Sequence, residues 1–281
     1  MKVSYQLYNE KEQPSQAGIF EYWWAAPDTY RTTWLRPGME HTDWLVKGEH
    51  FDRISGDQLG RDEEGLESEL LQPLPAPEVL EKAKLKHDEQ KLGDLKMPCV
   101  KVVPSMGDFP EYCFEPEHPI LRMESYPSGR KIYNSVTLTQ DRFLAREIQV
   151  VANNRLVLTA RVELVEAILP KAPELSPEDG VTRSSRGIRS APGVTPPKIT
   201  NSVHAVFPNS ERARHSQGVV ELVMTIGTDG RVHNLRAVSG TSKDFIDEAL
   251  RAVSQYQFHP GLLLGSPVAV EVRFLINFRM Q

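Results

Sequence analysis

The side chains that most often carry chemistry occur in this sequence, but few stand at spacings that let them act together. The eight histidines are His41, His50, His87, His118, His204, His215, His233 and His259. No two stand at the separation that places a pair of imidazoles on one metal ion. The helical zinc-protease motif, Cys-x-x-Cys, the phosphate-cradling Gly-rich loop and Gly-x-Ser-x-Gly are all absent. Glu40-His41 and Glu49-His50 repeat at nine residues in a polar stretch and read as solvated pairs. His87-Asp88-Glu89 reads as the charged face of a helix. A Ser, His and Asp set could be assembled only from distant residues that no motif marks. No catalytic residue, metal ligand or cofactor is assigned, and the expectation is a protein that is not an enzyme. Cys99 and Cys113 remain. Each lies on a strand-like segment, and as hairpin partners they would form a disulfide contributing roughly 3 kcal/mol by chain entropy. The alternative is two buried thiols.

The elements that position these residues are mostly strands. Residues 1–9, 18–24 and 30–35 alternate apolar and polar side chains, with Pro14-Ser15, Pro27-Asp28 and Pro37-Gly38 as turns between or after them. All four tryptophans (Trp23, Trp24, Trp34 and Trp44) fall in this meander. They read either as core and edge aromatics or, for Trp23, Trp24 and Trp34 with Tyr22, as the lining of a cavity for a lipid or other apolar ligand. Helical patterns follow at 63–71 and 77–92, the second opening on Pro77 and carrying Val79, Leu80, Ala83 and Leu92. Strands resume at 97–103, 111–114, 120–126, 131–137, 143–151 and 156–168. The architecture expected for residues 1–169 is a curved antiparallel sheet, half-barrel-like, with helices inserted midway.

Residues 170–197 hold six prolines and three glycines without apolar periodicity, which predicts an extended linker. Residues 198–281 form the second predicted domain. A strand with Val220, Leu222, Met224 and Ile226 on one face meets the turn Gly227-Thr228-Asp229-Gly230 and a second strand at 231–239. A helix follows at 242–256, with Phe245, Ile246, Ala249, Leu250 and Val253 as its buried stripe. The last strand, 268–280, puts Val268, Val270, Val272, Phe274, Ile276 and Phe278 inward and Glu271, Arg273, Asn277 and Arg279 outward. The fold class is α+β: three antiparallel strands with a helix on one face, joined to the larger sheet.

The totals set limits on partners. Residues 1–169 carry 20 basic and 28 acidic side chains, a net −8, and residues 170–281 carry a net +3. Neither part clusters Lys and Arg as a nucleic-acid groove requires. No run of about 18 apolar residues marks a membrane span. Met1-Lys2-Val3-Ser4-Tyr5 enters a strand pattern, not the apolar core of an export signal.

The order of C-terminal features resembles the C-terminal domain family of TonB, the energy transducer of bacterial outer-membrane transport. Phe207-Pro208 stands for the aromatic-Pro lead-in and Gly218 for the glycine before the first strand. Ile226, Gly227, Gly230 and Val232 match the hairpin, and Ser239-Gly240 precedes the helix, with Thr241 and Asp244 as a capping pair. Tyr256-Gln257-Phe258-His259-Pro260 and Gly265-Ser266-Pro267-Val268 complete the series. The resemblance implies a periplasmic or envelope protein that docks an extended peptide of a TonB-dependent outer-membrane receptor by adding it to a sheet edge. The strand carrying Val268, Val270, Glu271, Val272, Arg273, Phe274, Leu275, Ile276 and Asn277 is the expected edge. The N-terminal part is similar in pattern to the LolA/LolB-like lipoprotein carriers, with 146–150 placed like a back strand. That likeness implies the apolar-ligand carrier as the alternative function.

Overall fold

The computed structural model describes residues 1–75, 80–81, 83–103, 110–139, 142–169, 171–189 and 193–280. It is mostly β, with few helices, and contains a large antiparallel sheet. The first five strands are β1 (Lys2–Tyr8), β2 (Pro14–Ala26), β3 (Thr29–Arg36), β4 (Met39–Val46) and β5 (Glu49–Gly56). Helix α1 (Arg61–Leu71) follows. Seven more strands are β6 (Lys84–Leu92), β7 (Leu95–Val103), β8 (Glu111–Phe114), β9 (Leu121–Tyr126), β10 (Gly129–Thr139), β11 (Arg142–Ala152) and β12 (Arg155–Leu164). They lie in one sheet in the order β5-β4-β3-β2-β1-β12-β11-β10-β9-β8-β7-β6. This is two meanders joined where β1 pairs antiparallel with β12, Val3 opposite Val162 and Tyr5 opposite Ala160.

The chain divides into two compact units. The first is Met1–Trp23, Arg31–Thr42 and Arg53–Pro170; the second is Trp24–Tyr30, Asp43–Asp52 and Lys171–Gln281. In the first, Val3, Phe20, Trp34, Tyr133, Ile148 and Leu158 form a core with Leu66 and Leu70 of α1. Helix α1 buries Glu63, Leu66, Glu67 and Leu70, a stripe at helical spacing that mixes carboxylates with leucines. A second cluster, Met97, Cys99, Cys113 and Met123, surrounds a disulfide between Cys99 and Cys113, which face each other across β7 and β8.

The helix expected at 77–92 is corrected in its second half, where residues 84–92 form β6. Its partner is β7, with Leu92 opposite Leu95 across a turn at Gly93. The apolar positions that suggested a helix are too sparse to make a buried stripe. The turn at Gly93-Asp94, with Gly93 at φ 60°, makes a hairpin instead. Within the first half of that expectation, residues 77–79 and 82 lie outside the described residues.

The second unit contains β13 (Val194–Thr195), β14 (Lys198–Asn201), helix α2 (Asn209–Ala213), β15 (Gly218–Ile226), β16 (Val232–Gly240) and helix α3 (Lys243–Val253). Four strands end it: β17 (Gln257–His259), β18 (Gly261–Leu263), β19 (Ser266–Val268) and β20 (Val270–Phe278). The principal sheet runs β16-β15-β20, so β20 is at its edge. Val220, Leu222, Met224 and Ile226 meet Phe245, Ala249 and Val253 of α3, and Phe278 stacks on Phe245 with ring centroids 4.6 Å apart. At the β15–β16 hairpin Gly230 has φ 73°, and a Cβ there would stand 2.1 Å from the Phe258 carbonyl oxygen. Phe258 N–H donates to Gly230 O at 2.9 Å, so that approach excludes a side chain.

Two local expectations change here. Ser242, not Thr241, caps α3, its hydroxyl accepting from Phe245 N–H. Thr241 instead accepts from Val219 N–H, and Asp244 accepts from the Ser210 hydroxyl. The final strand is also broken. Val268 ends β19, which pairs with β18, and only from Val270 does the chain pair with β15.

Candidate functional site

Strand β20 is paired along one side by β15, from Val270 opposite Ile226 to Phe278 opposite Gly218. Its other side is engaged only at its start among the described residues. There Ile188 lies parallel to it: Ile188 N–H donates to Ala269 O at 2.8 Å, and Glu271 N–H donates to Ile188 O at 2.9 Å. Backbone groups alternate sides along a strand. With Glu271 N–H pointing outward, those of Arg273, Leu275 and Asn277 point the same way, while Val272, Phe274 and Ile276 serve the ladder with β15. The side chains alternate as the sequence suggests. Val270 and Phe278 are buried, Val272, Phe274 and Ile276 are half-buried against the α3 core, and Leu275 and Asn277 are exposed. Phe274 meets Tyr256 edge-on at 5.9 Å. Arg273 forms an ion pair with Glu221 at 3.1 Å on the face away from α3.

The segment that holds Ile188 lies within 170–197, expected as a linker. Its described part is extensively bonded. Leu175 and Ile188 are buried. Arg183 bridges to Phe51, Ser184 N–H donates to His50 O at 2.8 Å, and the Ser184 hydroxyl donates to Asp52. Arg186 reaches Asp52 at 2.6 Å and Asp43 at 3.4 Å, and Arg189 pairs with Asp43. Apolar periodicity is absent because charges and backbone bonds, rather than an apolar face, fix the segment. Gly187 lies against the backbone of β20, where a Cβ would come within 2.4 Å of Val270 C and 2.5 Å of Glu271 N. Asn234 Nδ2 donates to Ser185 O at 2.9 Å, and Gly187 N–H reaches the Thr225 hydroxyl.

Asp43, His50 and Asp52 offer three ligand atoms within 4.8 Å of one another. The surrounding charge argues against a metal ion. Asp43 already pairs with Arg189 and Arg186, and Asp52 with Arg186, so both carboxylates are engaged by guanidiniums. Burial alone would raise the Asp43 carboxyl, but Arg189, His50 and Arg186 hold it well below the usual carboxylate range. His50 is not poised as a base toward Ser184: its Nε2 faces Asp43 Oδ1 at 3.0 Å and its Nδ1 faces Arg186 O at 3.1 Å. The two histidines expected to be solvated are thus corrected. His50 sits in this cluster, and His41 is buried with Nε2 2.7 Å from Asp57 O. The partners come from elsewhere in the chain: Asp43 of β4 and Arg186 for His50, and Asp57, just past β5, for His41.

In the first unit the aromatic residues proposed to line an apolar cavity are distributed through the fold. Trp34 is buried, 4.3 Å from the Phe20 ring and 5.5 Å from Tyr5. Tyr22 packs half-buried on the same core, Trp23 is half-buried, and Trp24 falls in the second unit, 44% exposed. Beside this core lies a polar network that sequence reasoning missed. Glu63 accepts from Tyr5 at 2.6 Å, Arg36 at 3.0 Å and Gly60 N–H at 2.7 Å. Lys131 joins Glu69 and, at 3.0 Å, Glu124; Tyr133 donates to Glu69 and Tyr126 to Glu124. Burial pulls the Lys131 ammonium pKa down, but the two carboxylates outweigh it and raise it. Burial, with Glu124 adding to it, leaves the Glu69 carboxyl raised despite Lys131. The available signal was the i, i+3, i+4, i+7 placement of Glu63, Leu66, Glu67 and Leu70.

Among the described residues, no helix is long and apolar enough to cross a membrane. Residues 203–280 match the family described as Gram-negative bacterial TonB protein C-terminal. The chain is similar to protein TonB of Vibrio cholerae serotype O1, with 28% identity over 103 residues. The match takes in 36% of this chain and 42% of that relative, so the chain spans less than half of the relative's length. The solved C-terminal domain of Pseudomonas aeruginosa TonB aligns at 20% identity with a TM-score of 0.26, over 35% of this chain and 97% of that domain. A Vibrio parahaemolyticus structure, provisionally described as an outer membrane lipoprotein-sorting protein domain, aligns at 10% identity with a TM-score of 0.36. It covers 58% of this chain and 81% of that one.

Proposed function

We propose that the second unit is a docking module of TonB type in the bacterial envelope, which adds an extended segment of an outer-membrane receptor to the edge of β20. The observation that carries this reading is the edge itself. From Val272 onward, no described residue pairs with its outer side, while Arg273, Leu275 and Asn277 direct backbone N–H groups there. The match of residues 203–280 to the TonB C-terminal family supports the same use. Backbone pairing supplies the affinity, and the exposed side chains beside it supply what selectivity there is. The partner must have an apolar or small side chain to lie by Leu275, which is 41% exposed. A short peptide loses ordering entropy on docking, so about −8 kcal/mol, a micromolar dissociation constant, is the expected scale.

The test is titration of the full chain with extended receptor peptides, followed by backbone amide shifts. Shifts should concentrate on 272–278. Leu275→Pro and Asn277→Pro each remove an outward N–H that the ladder with β15 does not use, so the fold tolerates them as an edge strand tolerates proline. Each should weaken binding at least tenfold, whereas alanine at the same positions changes it about twofold or less. Glu271→Pro is the wrong probe, because its N–H already serves Ile188. Binding that survives both prolines, or shifts that avoid β20, would overturn the reading.

A further inference from the structure

Strand β6 ends the large sheet, and among the described residues no strand pairs with its outer side. Lys84 to Glu89 are exposed on both faces. We propose that β6 is an edge for self-recognition: two copies of this chain pair their β6 strands antiparallel about a two-fold axis at His87, joining two sheets into one. The proposal does not rest on the docking reading, which concerns β20 in the other unit.

The hairpin fixes which backbone groups are available. Leu92 and Leu95 flank the turn Gly93-Asp94 as a hydrogen-bonded pair, so by alternation Gln90, Asp88 and Lys86 direct their N–H and C=O groups to β7. Those of Lys91, Glu89, His87 and Leu85 point outward. Two observations agree. Pro98, which has no N–H, lies opposite Glu89, where the β6–β7 ladder needs none. The Glu89 N–H donates to the Asp88 carboxylate at 2.8 Å, as suits an amide without a backbone partner. Charges along an edge normally oppose pairing, but here their order selects a partner. In an antiparallel pair about a two-fold axis, one residue faces its own copy, and positions equally far to either side face each other. Centred on Asp88 or Glu89, the pair sets acid against the same acid; centred on Lys86, it sets lysine against lysine. Centred on His87, it sets Lys86 of each copy against Asp88 of the other, with Lys84 facing Gln90. The Lys86 and Asp88 positions form non-hydrogen-bonded pairs, where side chains approach most closely. Leu85, 47% exposed, meets Glu89, whose charge is already paired with Lys96 at 2.8 Å. On pairing, the Asp88 carboxylate turns to Lys86 of the second copy, and the Glu89 N–H passes to the Leu85 carbonyl there.

A contact between two edges buries little surface and belongs with the weak interfaces under about 1,200 Å². The proposal is therefore tested on the full chain by sedimentation velocity from about 10 to about 500 µM, the range of a weak dimer. The unmodified protein should pass from monomer to dimer, with a dissociation constant that rises a few-fold between about 50 and about 300 mM salt. Lys86→Asp and Asp88→Lys each set like charges opposite one another and should weaken association at least tenfold. Mixed together, these two variants should associate with each other, since one supplies acids and the other lysines at both facing positions. The double variant Lys86→Asp/Asp88→Lys should associate with itself. Amide exchange of the unmodified protein needs no variant to fold: protection at Leu85, His87 and Glu89 should rise several-fold with protein concentration, while Lys86 and Asp88 stay unchanged. Leu275→Pro, at the β20 edge, should leave the dimer intact. A protein that stays monomeric throughout, or exchange at His87 that is independent of concentration, overturns the proposal. So does a dimer that either single variant leaves intact, and a dimer lost in Leu275→Pro places the contact on β20 instead.

Discussion

Replacing Lys131 by methionine removes the cation shared by Glu69 and Glu124 while keeping most of the side chain's length. At 3.0 Å and an effective dielectric of 20, the contact with Glu124 alone is worth about 5.5 kcal/mol of gross attraction. The net cost is smaller, because the buried ammonium no longer has to be desolvated. Removing one partner of a buried pair typically destabilises by about 3–5 kcal/mol, since the other charge remains without compensation. Lys131 is 20% exposed while its two acids are 6% and 5% exposed, so the expected loss at pH 7.5 lies in that range. The pH dependence makes the prediction specific. The Glu69 carboxyl is raised by its burial and by Glu124. The folded state therefore holds that proton more tightly than the unfolded state, and stability from this group falls as pH rises above about 4.3. Without Lys131 the carboxyl is raised further, so acidification should recover about 1.4 kcal/mol per pH unit over its titration. Lys131→Met/Glu69→Gln should recover at least half of the loss at pH 7.5, which a double-mutant cycle measures. Native-state exchange at Ile132 and Ile148 reports on this unit alone, avoiding a two-state assumption for a two-unit chain. A loss under about 1 kcal/mol at pH 7.5, or an equal loss at pH 5 and 7.5, would refute the reasoning.

Phe245→Ala should cost about 3–5 kcal/mol in exchange protection of β15, because the ring is fully buried between Phe278 and Phe207. Leu275→Ala, on an exposed position of the same unit, should stay within about 0.5 kcal/mol. Equal losses would mean the faces of β20 are wrongly assigned. Asp43→Asn should remove an acid-sensitive component of the second unit. Its carboxyl is held below the usual range, so its contribution is complete above about pH 3.9 and is lost as pH falls through the lower folded value. Exchange at Ser184 should therefore rise steeply below about pH 4 in the unmodified protein, and show less of that component in Asp43→Asn.

Much of the fold is legible in the sequence where side-chain alternation is strong. Residues 111–114 are expected and found as β8, and the C-terminal hairpin lies where Gly227 and Gly230 put it, because only glycine fits the approach to Phe258. Residues 84–92 defeat the same reading. That strand carries mostly charges on both faces, so it has no apolar period, and its identity comes from pairing with β7. The segment around Ile188 is illegible for a related reason. Arg183, Arg186 and Arg189 recur every third residue, but their partners Glu49, Asp52 and Asp43 lie more than 130 residues upstream, and no local pattern announces a long-range ion pair. The exposed edge is legible only as an alternating strand. That its first outward N–H is occupied depends on a distant glycine. The carboxylates of α1 were read past because burial of Glu63 and Glu69 needs Arg36, Tyr5, Lys131 and Tyr133, which three different strands supply.

The seam between β1 and β12 has a consequence for how the large sheet assembles. Strands β1–β5 pair with chain neighbours, and so do β6–β12, so each meander can grow hairpin by hairpin with short closures. The seam instead joins residues such as Tyr5 and Ala160. Closing a loop of that length costs about 4–5 kcal/mol of chain entropy, against well under half of that for a five-residue turn. It must form late, after both meanders exist to reward it. Until then β1 and β12 are each a bare edge carrying apolar side chains, Val3 and Tyr5 on one and Leu158, Ala160 and Val162 on the other. The interval before the seam closes is when this chain is most open to pairing with the wrong strand.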